Sequence, residues 1–154
     1  MLKKIAMVSS AVLWLAGCAS VPMADPDMSD QVKLFDDPSP GKAGLYIYRG
    51  GGMGGGLKKD IWIDGECIGE SAPKVFFYEE VAGDQEHTVS TESEFSPNAL
   101  KLVTASNQKY FIRQYIKFGM FVGGANLKLV DAQEGRKDVE KLQMAARGRC
   151  SSSP

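Results

Sequence analysis

Ile61-Trp62-Ile63-Asp64-Gly65-Glu66-Cys67-Ile68 sets two short apolar runs on either side of Asp-Gly. A two-residue type I′ turn needs positive φ at both central positions, and Asp-Gly is among the few dipeptides that accept it. The stretch therefore reads as a β-hairpin. The expected register places Trp62 opposite Cys67 on one face and Ile61 opposite Ile68 on the other.

Outward from the hairpin the same texture continues. Leu45-Tyr46-Ile47-Tyr48-Arg49 alternates, with Leu45 and Ile47 on one face and the two tyrosines on the other. A glycine run at residues 50–56, broken by Met53, follows it and reads as a mobile hairpin loop. Residues 75–81, 86–91, 100–104, 109–118 and 126–130 repeat the pattern, with turn residues Gly83-Asp84, Ser106-Asn107 and Gly119, Gly123 and Gly124 among them. Short alternating runs between turn signals are the signature of antiparallel sheet. Beyond Asp131 the period becomes helical, with Val139, Leu142 and Ala146 on one face. The expected fold is mainly β: an antiparallel, immunoglobulin-like β-sandwich with a C-terminal helix over residues 41–147. A polar tail, 148–154, carries Cys150.

The chain starts with Lys3 and Lys4, then an apolar run, then Leu15-Ala16-Gly17-Cys18. A bilayer crossing needs about 20 apolar residues. This run is shorter and reads as a removable signal over residues 1–17. Residues 18–40 carry Pro22, Pro26, Pro38 and Pro40 and several aspartates, which predicts an extended acidic tether. Removing Lys3 and Lys4 takes 18 basic residues to 16 against 19 acidic ones, and the formal charge from -1 to -3. A mild, patternless charge argues against nucleic acid as a partner, which would call for a clustered basic face.

The tetrad resembles the lipobox of bacterial lipoproteins. The resemblance implies lipid on Cys18 and, with Ala19 next, anchorage at the periplasmic face of the outer membrane. The membrane is then one partner, and another envelope protein or wall material the second. With Cys18 assigned to lipid, Cys67 and Cys150 remain in an oxidising compartment. Two arrangements satisfy the sequence. In one the two cysteines are bridged; in the other the tail is disordered and Cys67 is buried as a small apolar residue.

No cofactor or metal is expected. Gly50, Gly52 and Gly55 satisfy G-x-G-x-x-G, but a strand follows where a phosphate loop needs a helix, so no nucleotide is expected. Gly69-Glu70-Ser71-Ala72-Pro73 approaches a nucleophile elbow, with Pro73 in the place of glycine and no α/β sheet around it. His87 is the single histidine, too few for a zinc cluster. Glu92 and Glu94 read as a solvated strand face. The catalytic alternative is a small periplasmic hydrolase using Ser71 or Cys67 with His87; the preferred reading is non-enzymatic. The face Phe111, Arg113, Tyr115 and Lys117 alternates aromatic and cationic groups, as a docking surface does. The competing arrangement has the late helix covering the aromatics, with the charges at its rim.

Tyr46-Ile47-Tyr48-Arg49, the Asp64-Gly65 hairpin continuing to Gly69, and Gly83 near His87 resemble PEGA-like small β-sandwich domains. Ser93-Glu94-Phe95-Ser96-Pro97-Asn98, Tyr110-Phe111-Ile112-Arg113-Gln114 and Gly123-Gly124-Ala125-Asn126-Leu127 are similar to bacterial envelope lipoproteins of a domain-of-unknown-function family. The resemblance implies a sandwich in the envelope and brings no activity and no assigned site.

Overall fold

The computed structural model describes residues 20–154, so the signal at 1–17 and the expected lipid on Cys18 lie outside the described residues. In chain order the elements are α1 (Pro26–Val32), β1 (Lys42–Arg49), β2 (Lys59–Ile63), β3 (Glu66–Ser71), β4 (Val75–Ala82) and β5 (Gln85–Thr91). They continue with β6 (Asn98–Thr104), β7 (Lys109–Lys117), β8 (Gly124–Val130), α2 (Ala132–Val139) and the short β9 (Gln143–Met144). Two sheets stack as a sandwich. One has the order β8-β7-β1-β4-β9 and the other β3-β2-β5-β6.

Most neighbours are antiparallel, while β1–β7 and β4–β9 run parallel. The glycine run joins β1 to β2, which lie in different sheets, so it is a passage between layers and not a hairpin loop. In the hairpin, Asp64 and Gly65 have φ of 51° and 82°, as a type I′ turn requires. Trp62 pairs with Cys67. Ile61 faces Gly69 and not Ile68, because the register shifts between Ile61 and Trp62. The irregularity leaves Ile68 without a cross-strand partner and lets it enter the core beside Ile61.

The inner core is aliphatic and draws on both sheets: Leu45, Ile47, Ile61, Ile68, Val89 and Ile112, with Phe77. A second layer covers the outer face of the five-stranded sheet. There Tyr46, Tyr48, Phe76 and Phe111 pack with Phe35, Val139 and Leu142.

This second layer overturns the extended tether. Pro26 stands at the first turn of α1, where a missing N–H is harmless, and the Asp25 carboxylate accepts the Asp27 N–H at 2.9 Å. Past the helix, the Phe35 ring lies 5.3 Å from Tyr46. The chain before the helix is also tied down, since Met23 bridges to Ala145. Pro26 starts a helix instead of preventing one, and the apolar Val32 and Phe35 anchor it.

The late helix is shorter than its apolar period implies. Asp131 caps it by accepting from the Gln133 and Glu134 N–H groups, and it stops at Val139. Leu142 is buried from the turn that follows, while Ala146, expected on the same helical face, lies past β9 and is only half-buried. Gly135 rests against Phe111, where a Cβ would overlap the Phe111 Cβ and ring. Glycine is therefore the residue that lets α2 lie down on β7.

Candidate functional site

On β7 the side chains of Phe111, Arg113, Tyr115 and Lys117 alternate outward, but they do not form one open stripe. Phe111 is 1% exposed, stacked 4.8 Å from Tyr46 under α2. Arg113 reaches the helix: its Nη2 donates to Glu134 Oε1 at 2.6 Å and Asp138 Oδ2 at 2.5 Å, and its Nε to the Tyr48 hydroxyl at 3.2 Å. Tyr48 in turn donates to Asp138 at 2.9 Å. The hydrogen bond to Asp138 holds the Arg113 guanidinium above its ordinary value. Burial works to raise the Asp138 carboxyl, yet the bonds from Arg113 and Tyr48 hold it below the usual range. Burial pushes the Tyr48 hydroxyl up to about 12. Only Tyr115 and Lys117 stay in the open, with Tyr115 39% exposed. The stripe is half covered because α2 needs Phe111 as its floor and Arg113 as its clasp.

Beside that clasp lies a cleft of about 670 Å³. The end of β1 gives Tyr48 and Arg49, the turn before β4 gives Lys74, β7 gives Arg113 and Tyr115, and the stretch from α2 gives Asp138 and Lys141. The glycine run contributes Gly50, Gly51 and Met53. Four cationic side chains thus meet one carboxylate, already engaged by Arg113. Arg49 is 3% exposed and donates only to main-chain carbonyls, Leu57 O at 2.6 Å and Gly54 O at 2.5 Å. Burial pulls it below the ordinary arginine value, but a guanidinium stays ionised in any protein setting. A buried cation without a carboxylate in a concave, mixed surface has the character of an anion-binding site.

The groups named for hydrolysis are held apart. Ser71 is buried and donates to Gln114 Oε1, and Gln114 Nε2 donates to Thr91 Oγ1 at 2.7 Å. His87 Nδ1 lies 2.6 Å from Asp64 Oδ2, and Nε2 lies 2.8 Å from Ala82 O. Burial works to lower the imidazole, but the bonds to Asp64 and Ala82 prevail and raise it. Cys67 is in a disulfide with Cys150, with Cα atoms 6.0 Å apart. The hollow beside His87 is lined by neither Ser71 nor Cys67. Glu92 pairs with Lys59, and Glu94 accepts the N–H groups of Met120, Phe121 and Val122, so both shape the fold. The tail is likewise ordered. The buried Asp60 carboxylate accepts from the N–H and hydroxyl groups of Ser151 and Ser152 at 2.9–3.0 Å.

Sequence reasoning missed Arg49, Lys74 and Lys141 as site residues. The one local signal was an arginine ending a doubly buried strand directly before a glycine run; the lysines join it only through tertiary folding.

A family model described as a protein of unknown function (DUF2846) matches residues 39–125. An uncharacterized protein of Haemophilus influenzae is 52% identical over 140 residues, covering 91% of this chain and 83% of that one. No solved structure matches.

Proposed function

The chain belongs to the DUF2846 family, and from that premise we propose that it is a lipid-anchored, non-enzymatic binding module of the cell envelope. The cationic cleft at the end of β1 carries the reading, because a concave site where three of four cations meet no counter-ion among the described residues is built to hold something. The tetrad Leu15-Ala16-Gly17-Cys18 supports lipid on Cys18 and, with Ala19, the outer membrane. The Cys67–Cys150 bridge supports an oxidising compartment such as the periplasm. The likeness to PEGA-like domains fits the same setting. The partner in this reading is another envelope protein or wall material.

Two steps test it. Labelled palmitate is incorporated by the wild-type protein and absent from Cys18→Ser, and the wild type fractionates with outer membranes. Cross-linked complexes recovered from intact cells are then depleted in Lys74→Glu/Lys141→Glu at equal protein abundance. An unlabelled wild type removes the anchor and the location together; undiminished complexes in the double variant move the binding away from the cleft.

A further inference from the structure

We propose that the cleft takes a short peptide by its free C-terminal carboxylate, with Lys74, Lys141 and the open backbone of Gly50 and Gly51 as the receiving groups and Arg49 as the buried charge behind them. The inference rests on the binding-module reading and names its ligand class.

Charge comes first. Buried ions are normally matched by a counter-ion, since removing one from water is expensive. Arg49 has none, and Lys74 and Lys141 form no ion pair among the described residues. The surplus is local, because the chain as a whole carries a formal charge of -1. An anion in the cleft completes what the fold leaves open.

Backbone geometry comes second. Arg49 draws the carbonyls of Gly54 and Leu57 inward. Gly50 and Gly51 line the cleft, and neither N–H donates to another group among the described residues. Successive open N–H groups make a concavity suited to carboxylate oxygens. The Lys74 side chain runs alongside, its Cε 3.5 Å from where a Cβ on Gly51 would lie.

The walls decide between anions. Met53, Ile116 and Leu142 give apolar surface and Tyr115 an aromatic one, directly beside the cations. Inorganic phosphate has no use for those walls. A fatty acid would use them but needs an enclosed apolar channel, and this cleft is open and cationic. A peptide end presents a carboxylate and an adjoining side chain together, and the volume suits a ligand of a few residues.

The test uses full-length lipidated protein in detergent micelles and a dye-labelled tri-alanine peptide, read by fluorescence polarisation. The free-carboxylate peptide binds, and its amidated twin binds at least about tenfold more weakly, as loss of a charge-assisted hydrogen bond implies. Unlabelled inorganic phosphate and a short fatty acid fail to displace it at equal concentration. Lys74→Gln/Lys141→Gln weakens binding by about tenfold with an unchanged melting temperature, and both lysines are exposed enough for the fold to be indifferent. Arg49→Gln abolishes binding, but as it also frees the glycine run, the lysine pair carries the decision. Equal binding of acid and amide, displacement by phosphate or fatty acid, or an unaffected lysine variant overturns the proposal. If the peptide fails while Lys74→Glu/Lys141→Glu still depletes complexes in cells, the ligand class falls and the binding-module reading stands. If the wild type takes up no palmitate, that reading falls on its own evidence.

Discussion

Leu45 and Ile47 on one face of β1 meet aliphatic side chains from the opposite sheet; Tyr46 and Tyr48 on the other meet α1, α2 and the segments that follow them. Both faces are equally closed to water. The inner one is closed by two hairpins, β2–β3 and β5–β6, and its material is mostly branched aliphatic. The outer one is closed by residues 26–35, before the first strand, and 132–142, after the eighth, and its material is aromatic. Aromatic rings bring large area and polar tips, so the outer layer comes with hydroxyls and ion pairs at its rim: Tyr48, Arg113, Asp138 and Glu134. The inner core has a sealed Ser71–Gln114–Thr91 chain in place of such a rim. The cleft forms where the aromatic layer ends and its polar rim meets the glycine run.

The comparison breaks most easily at the layer's centre. Phe111→Ala is expected to destabilise by about 3–5 kcal/mol in denaturant unfolding, as deep core truncations do. A loss below about 1 kcal/mol would reduce the outer layer to decoration. On the opposite sheet, the Cys67–Cys150 bridge closes a separation of 83 residues, worth about 4.5 kcal/mol at most in the chain-entropy model and typically 2–4. Cys67→Ser/Cys150→Ser should lower the unfolding free energy within that range and free the tail from Asp60, read as proteolytic trimming after residue 147. Gly135→Ala sharpens the contrast from the helix side. Alanine in a helix normally stabilises by up to about 1 kcal/mol over glycine, but overlap with Phe111 should reverse the sign to a loss of about 1–3 kcal/mol.

The smallest effect separates the layers by pH. The raised His87 value stabilises the fold below the ordinary histidine value of 6.5, and that contribution is lost as pH rises through the folded value. Burial works to raise Asp64, but its bonds to His87 and the Thr88 N–H hold it below 3.8, so its contribution is lost only as pH falls through that lowered value. The melting temperature should therefore decline as pH rises from 6.5 through the raised His87 value. His87→Gln should remove the decline. In the outer rim, Tyr48 is pushed up to about 12 and Asp138 is held below its usual range, so neither mimics it. A decline that survives His87→Gln would place its origin elsewhere.

The inner core was legible because period-2 alternation and Asp-Gly are local signals. The strand at 45–49 and the hairpin at 61–68 announce their faces without help from the rest of the chain. The shift that pairs Ile61 with Gly69 was not legible, since it is decided by how both isoleucines reach the opposite sheet. Nor was the outer layer. Pro26 and its neighbouring aspartates look like disorder until Phe35 finds Tyr46, more than ten residues away in sequence and visible only in three dimensions. The same holds for the site. Arg113 and Tyr115 were read off one strand, whereas Arg49, Lys74 and Lys141 come together only when β1, the turn before β4 and the end of α2 converge.

A photo-activated cross-linker placed in living cells reads whether a partner enters at that convergence. It replaces Tyr115 at the cleft, or Glu86, which is also exposed but lies at the opposite end of the sandwich. The account predicts a defined adduct from position 115 that disappears in Lys74→Glu/Lys141→Glu, and none of that kind from position 86. Equal adducts from both positions, or an adduct at 115 indifferent to the two lysines, would contradict it.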